Sequence, residues 1–198
     1  MKVNWKEGQS EHTVTSPMTL NISSFSNVND LNKSVTPELS DSDTTLLHLW
    51  SHCDKYRLGG SALYQSFKLY GGATPDIDDA NQFKVLFEAT QELLDKDFIE
   101  ALHDISDGGL ITSLIEMALC SNQGLDINLD YSDKEQLVPK LFSEEIGLVI
   151  EVKNEKLESV RNYLNEKELF FENIAKKNDN KKINIYCFKE EIVSEGLI

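Results

Sequence analysis

The chain has 198 residues, 40% hydrophobic and 27% charged, the balance of a soluble globular protein with room for one large domain or two small ones. Its formal net charge of −15 argues against nucleic acid or an anionic membrane surface as partner, since both need a basic face. Cys53, Cys120 and Cys187 form no C-x-x-C pair, the N-terminus lacks the apolar core of a signal peptide, and no apolar run approaches the ~20 residues that span a bilayer; together these point to a cytoplasmic protein.

In chain order, residues 1–16 are polar and aperiodic and read as a lead-in to a single domain over 17–198. "PMTLNISSF" (17–25) alternates as a strand, 26–43 is rich in turn formers, and "TTLLHLW" (44–50) is a nearly continuous apolar strand of the central type. A helix is expected over 58–72, opened by Gly59-Gly60-Ser61 and closed by Gly71-Gly72. A second is expected over 76–97, with Phe83, Leu86, Phe87, Thr90, Leu93 and Leu94 as its apolar stripe. A short strand (98–104) then runs into a helix over 108–121 whose apolar face is Leu110, Ile111, Leu114, Ile115, Ala118 and Leu119. Further strands are expected at 125–130, 147–152, 169–176 and 182–188, with a short helix interrupted by Pro139 and an amphipathic helix over 154–167; the tail beyond 188 carries no clear pattern. Strands mix with helices without strict alternation, so the expected fold class is α+β, a mixed sheet with helices packed on it, covering one face.

The chemistry concentrates in "HDISDGG" (103–109). Asp104 ends a strand, and Gly108-Gly109 opens a helix at a cost of about 1 kcal/mol each against alanine if they lie inside it. One explanation is an anion seat: free N–H groups at Gly108 and Gly109 and the Ser106 hydroxyl facing phosphate, with Asp104 holding Mg²⁺ that bridges to it. The other is a plain strand-to-helix turn with Asp107 as N-cap. The spacing is neither a P-loop nor the dinucleotide fingerprint. "GGSAL" (59–63) has a weaker claim to anion binding, and His12, His48, His52 and His103 form no ligand pattern.

"HDISDGGLITSLIEMAL" resembles a signature of phosphoribosylformylglycinamidine synthase, the glutamine amidotransferase-type ligase of purine biosynthesis. "NWKEG", "TSPMTLNISSF", "SVTPELS", "LGGSALYQSF" and "LFSEEIGLVIEV" are similar to successive blocks of that family in the same order, over residues ~5–152, and the lead-in looks most like the long single-chain form. The resemblance implies the C-terminal α/β unit of the second ATPase-like half, with the fold of the C-terminal domain of the aminoimidazole ribonucleotide synthase superfamily. It implies Mg²⁺ and ATP or ADP as cofactors of the complete enzyme, Asp104 as a magnesium ligand and Ser106 as a nucleotide contact. Gly108 and Gly109 are added on physical grounds. The implied partners are an upstream barrel-forming unit and a downstream glutaminase domain. Because the family's other ligands would lie before Met1 and its glutaminase nucleophile after Ile198, the chain alone is expected to be catalytically incompetent. The alternative is a freestanding binding or assembly module with a vestigial nucleotide site. Self-association through Trp5, Val14, Met18 and Phe25, or a disordered start, is also expected.

Overall fold

The computed structural model describes residues 2–15, 21–28, 30–51, 55–129, 134–187 and 190–197. It forms two compact units, Met1–Leu31 and Asn32–Ile198. In the first, strands β1 (Lys2–Glu7) and β2 (Ser10–Thr15) pair antiparallel, from Lys2↔Thr15 to Glu7↔Ser10, around a turn in which Gly8 has φ 62°. The expected lead-in therefore contains a hairpin. Val3, Trp5, His12 and Val14 share one of its faces, and Trp5 stacks on His12 with centroids 5.1 Å apart. The strand expected over 17–25 falls partly outside the described residues, and its described part, 21–25, carries no regular structure.

The second unit is built on a seven-stranded mixed sheet of order β4-β6-β3-β7-β5-β8-β9. Its strands are β3 (Thr44–Trp50), β4 (Ala101–Asp104), β5 (Gly124–Leu129), β6 (Gly147–Lys153), β7 (Phe170–Asn178), β8 (Lys182–Cys187) and β9 (Glu190–Gly196). All pairings are antiparallel except the parallel β5–β8 pair. The central position of β3 follows from its continuous apolar run, buried on both faces. β9, where the sequence carries no clear pattern, is an edge strand; its residues are mostly exposed, so pairing with β8 rather than burial defines it.

Helices are α1 (Ala62–Ser66), α2 (Ala80–Asp95), α3 (Gly109–Ser121), α4 (Leu137–Phe142) and α5 (Leu157–Glu166). They cover both faces of the sheet rather than one. Leu46 and Val149 point into a core with Leu110, Leu114 and Met117 of α3 and Leu141 of α4. The alternate residues Leu47, Leu49, Ile150 and Val152 point into a second core with Leu86 and Leu93 of α2 and Val160 and Leu164 of α5. The fold class is α+β, as the strand and helix order indicates.

Three local differences have physical causes. α1 is shorter than the 58–72 span because Lys68 adopts φ 55° and the Leu69 N–H donates back to Tyr64 O, a left-handed stop well before Gly71. Pro139 does not interrupt α4, because it sits in the first turn, where a missing N–H costs nothing. On α2, Leu86, Ala89, Thr90 and Leu93 are buried, while Phe83 and Phe87 remain exposed. Among the described residues, no helix is long and apolar enough to cross a membrane.

Candidate functional site

The turn after β4 has the anticipated geometry. Asp104 is the last residue of β4, opposite Leu148 of β6, and its side chain is 71% exposed. Ser106 and Asp107 are exposed as well. Gly108 (φ 92°) and Gly109 (φ 75°) lie in the left-handed region, and α3 begins at Gly109. Leu110, Ile111 and Leu114 are buried and Ile115 is partly buried; Leu119 is exposed, at the far end of the helix. The Ser113 hydroxyl donates to Asp104 O at 2.9 Å, and Ile105 N–H to Gly147 O, so the strand end and the helix start are one rigid piece.

Both glycines are required, for different reasons. A Cβ on Gly108 would lie 2.2 Å from Thr112 Oγ1. A Cβ on Gly109 would lie 2.7–2.8 Å from the backbone of Leu141, Phe142 and Ser143. Gly109 thus lets α3 approach the 141–143 segment. Asp107 is not the N-cap: the cap residue is Gly108, which offers no side chain. Both glycine N–H groups are engaged within the chain, Gly109 with Ser106 O at 3.0 Å and Gly108 with Glu144 Oε1 at 2.9 Å.

Glu144 and Glu145, whose roles the sequence left open, organise the surroundings. The same Glu144 oxygen accepts the Ala62 N–H at 2.8 Å, at the start of α1. Glu145, 4% exposed, takes the Arg57 guanidinium in a two-pronged pair, Nε–Oε1 and Nη2–Oε2 both at 2.7 Å, and the Arg57 backbone N–H at 3.0 Å. Arg57 also reaches Asp78 and Asp76 O, and Lys55 pairs with Asp78 at 2.8 Å. The hydrogen bond to Glu145 raises the Arg57 pKa further above its ordinary value, and the Lys55 hydrogen bond lowers that of Asp78. Glu144 and Glu145 therefore tie the segments 57–62 and 104–109 together, and Arg57 in turn holds Asp76 and Asp78.

His103 lies beside the motif and not in a ligand cluster: Nδ1 donates to Asp104 O at 2.7 Å and Nε2 meets Glu116 at 3.0 Å. His48 is buried against Glu172, which also pairs with the buried Lys140 at 2.7 Å. His12 stacks in the hairpin, and His52 and Cys53 lie outside the described residues. A cleft of about 580 Å³ lies at the opposite ends of the strands, around Asp41, Asn122, Lys177 and Asn178. Its register shows this: Asn178 pairs with Gly124, whereas the other end of β7 meets Trp50, which pairs with Gly147 beside the motif.

Among the described residues no group of three or more His, Cys, Asp or Glu converges to hold a metal ion. The exposed Asp104 carboxylate and the neighbouring Ser106 hydroxyl fit one side of a magnesium–phosphate site, and further ligands would have to come from elsewhere.

Residues 45–188 match the family described as AIR synthase related protein, C-terminal domain. In fold the chain is similar to Thermotoga maritima PurL complexed with ATP (TM-score 0.67, 16% identity, covering 84% of this chain and 27% of that one). It is also similar to phosphoribosylformylglycinamidine synthase II from the same organism (TM-score 0.64, 15% identity, 83% and 27%). E. coli HypE, a hydrogenase maturation protein, shares the fold at TM-score 0.56 and 19% identity, over 83% of this chain and 52% of HypE. The chain thus spans about a quarter of the two synthase chains and half of HypE. Since the matched segment takes in most of its length, the chain belongs to the AIR synthase related protein, C-terminal domain family.

Proposed function

We propose that this chain is the C-terminal unit of an ATPase-like half of a phosphoribosylformylglycinamidine synthase and contributes one wall of a nucleotide–magnesium site. The observation that carries the reading is the turn itself: Asp104 and Ser106 exposed at the end of β4, on a rigid seat that opens α3. Asp104 would hold Mg²⁺ and Ser106 would donate its hydroxyl to a nucleotide phosphate, while Gly108 and Gly109, whose N–H groups are taken within the chain, would shape the turn and not contact the phosphate. The bound metal would supply charge neutralisation between carboxylate and phosphate. The complete enzyme would be a cytoplasmic ligase of purine biosynthesis. It would convert formylglycinamide ribonucleotide, glutamine and ATP to the amidine, glutamate, ADP and phosphate, by phosphoryl activation of an amide oxygen and displacement by ammonia. A barrel-forming unit and a glutaminase domain would be the partners. T. maritima PurL complexed with ATP supports the nucleotide part of this reading by similarity of fold.

The test is amidine formation from formylglycinamide ribonucleotide, ATP and either glutamine or ammonia. The chain alone should form none. Assembled with the other units it should support turnover, and Asp104→Ala in the assembly should lower magnesium-dependent nucleotide occupancy. Amidine formation by the chain alone would contradict the proposal. The second reading, a binding or assembly module with a vestigial site, draws on the missing metal cluster among the described residues and on the Gly108 N–H already taken by Glu144. It predicts that Asp104→Ala leaves nucleotide occupancy of the assembly unchanged.

A further inference from the structure

We infer that Glu144 is a positioning residue that locks the 104–109 turn to the 59–62 turn, and so leaves Ser106 and Asp104 as the groups that meet a ligand. One oxygen accepts two N–H groups, from Gly108 and Ala62, that lie 36 and 82 residues away in sequence. Both belong to helix starts, where the backbone supplies no acceptor of its own. α3 has no side-chain cap from its own cap residue, so Glu144 caps it from another segment and places a negative charge at the positive end of its dipole. Glu144 is itself held on both sides. Glu145 is fixed by three hydrogen bonds to Arg57, and the 141–143 backbone packs directly on Gly109.

The consequence for ligand class rests on the proposed function. With the Gly108 N–H committed, the exposed polar groups of the turn are Asp104, Ser106 and Asp107. Two of the three are carboxylates, which repel a bare phosphate and attract a cation. The turn therefore takes nucleotide as its metal complex and rejects the free anion.

Amide hydrogen exchange of the chain, read by NMR, tests the lock without any nucleotide. In Glu144→Ala, Gly108 and Ala62 should lose protection together by about tenfold or more, while the Leu114 amide in the core of α3 is unchanged. Glu144→Gln keeps the acceptor oxygen and should restore most of the protection. If Glu144→Ala does not fold, wild-type exchange decides: one carboxylate holding both amides predicts the same opening free energy and denaturant dependence for the two. Wild-type protection at either amide in Glu144→Ala, or unrelated openings in the wild type, overturns the lock. A second arm titrates ATP with magnesium, and ATP with chelator, onto the chain joined to a barrel-forming unit of the synthase type, as wild type and as Glu144→Ala, while following Ser106 and Gly108. Positioning predicts a response to the magnesium complex alone, weakened by Glu144→Ala; a stronger response in Glu144→Ala would make Glu144 a competitor and overturn the inference. Intact exchange coupling with no response to the magnesium complex would leave the lock standing and remove the nucleotide reading. The reverse pattern would remove the lock and keep the reading.

Discussion

Gly109→Ala should be among the most damaging single-methyl changes in the chain. Two costs add. The native φ of 75° forces an L-residue into the left-handed region, at roughly 1–2 kcal/mol. The new Cβ would also sit 2.7 Å from Phe142 C, 2.7 Å from Ser143 O and 2.8 Å from Leu141 O. These are backbone atoms of a packed segment that cannot swing aside, and overpacking of this kind costs about 1–3 kcal/mol. The sum is about 2–5 kcal/mol. Gly60→Ala is the control, with φ 78° but only Thr74 Cγ2 nearby, at 3.9 Å, so it carries the strain without the clash. Equilibrium urea unfolding followed by far-ultraviolet circular dichroism measures both. Gly109→Ala should lower stability by about 1–3 kcal/mol more than Gly60→Ala, the clash term alone. Equal stability of the two variants would show that the 141–143 backbone does not press on Gly109, and would remove the close approach on which the turn's rigidity rests.

Other expectations follow from buried charge, from titration and from the hairpin. Glu145→Ala leaves the Arg57 guanidinium, whose side chain is only 15% exposed, with Asp78 and Asp76 O alone, and should cost about 3 kcal/mol in urea unfolding, with Arg57→Ala adding much less when combined than alone. Glu151 is fully buried, bonded to Ser40, Thr44 and Lys177, so Glu151→Ala should cost about 3–5 kcal/mol by the same assay. Burial lowers the His48 pKa below its ordinary 6.5, so the unfolded chain binds the proton first; this contribution to stability is full above pH 6.5 and falls as pH drops through that value toward the folded pKa. For Glu172, burial is outweighed by the hydrogen bond from His48 and the charge of Lys140, its pKa is lowered, and its contribution is lost only at more acid pH, below 4.5. Replacing His48 with Gln should flatten the slope of stability against pH just below 6.5, and an unchanged slope would contradict the assignment. The hairpin leaves Val3, Trp5 and Val14 exposed on one face, and a two-stranded ribbon is marginal alone. Light scattering should show concentration-dependent self-association that Trp5→Ala weakens, against a strict monomer if that face is not adhesive.

How much could be read beforehand depended on whether a residue's partner was near it in sequence. β3 was legible to the residue, because seven residues of which all but His48 are apolar or β-branched, buried on both faces, leave their mark on composition alone. α3 was legible because the helical period restarts at Gly109. β9 was not, since its residues are mostly exposed and only the edge of β8 makes it a strand. Phe83 and Phe87 complete a helical stripe in sequence, yet they stay exposed while Ala89 is buried in their stead. At the candidate site, Asp104, Ser106 and the glycines stood out as a local pattern. Glu144 and Glu145 did not, because two adjacent glutamates at the end of an expected short helix carry no pattern that names a partner. Their partners, Gly108, Ala62 and Arg57, lie 36 to 88 residues away, and no local rule links them.

The central claim, that this unit supplies one wall of a nucleotide–magnesium site and not the whole, is tested most directly by calorimetric titration of ATP with magnesium. The measurement compares the chain alone with the chain joined to a barrel-forming unit of the synthase type. The account predicts a dissociation constant of about a millimolar or weaker for the chain alone, a binding free energy of no more than about 4 kcal/mol. It predicts much tighter binding in the joined protein, lost when Asp104 is replaced by Ala. A micromolar dissociation constant for the chain alone, or tight binding in the joined protein that survives Asp104→Ala, would contradict it.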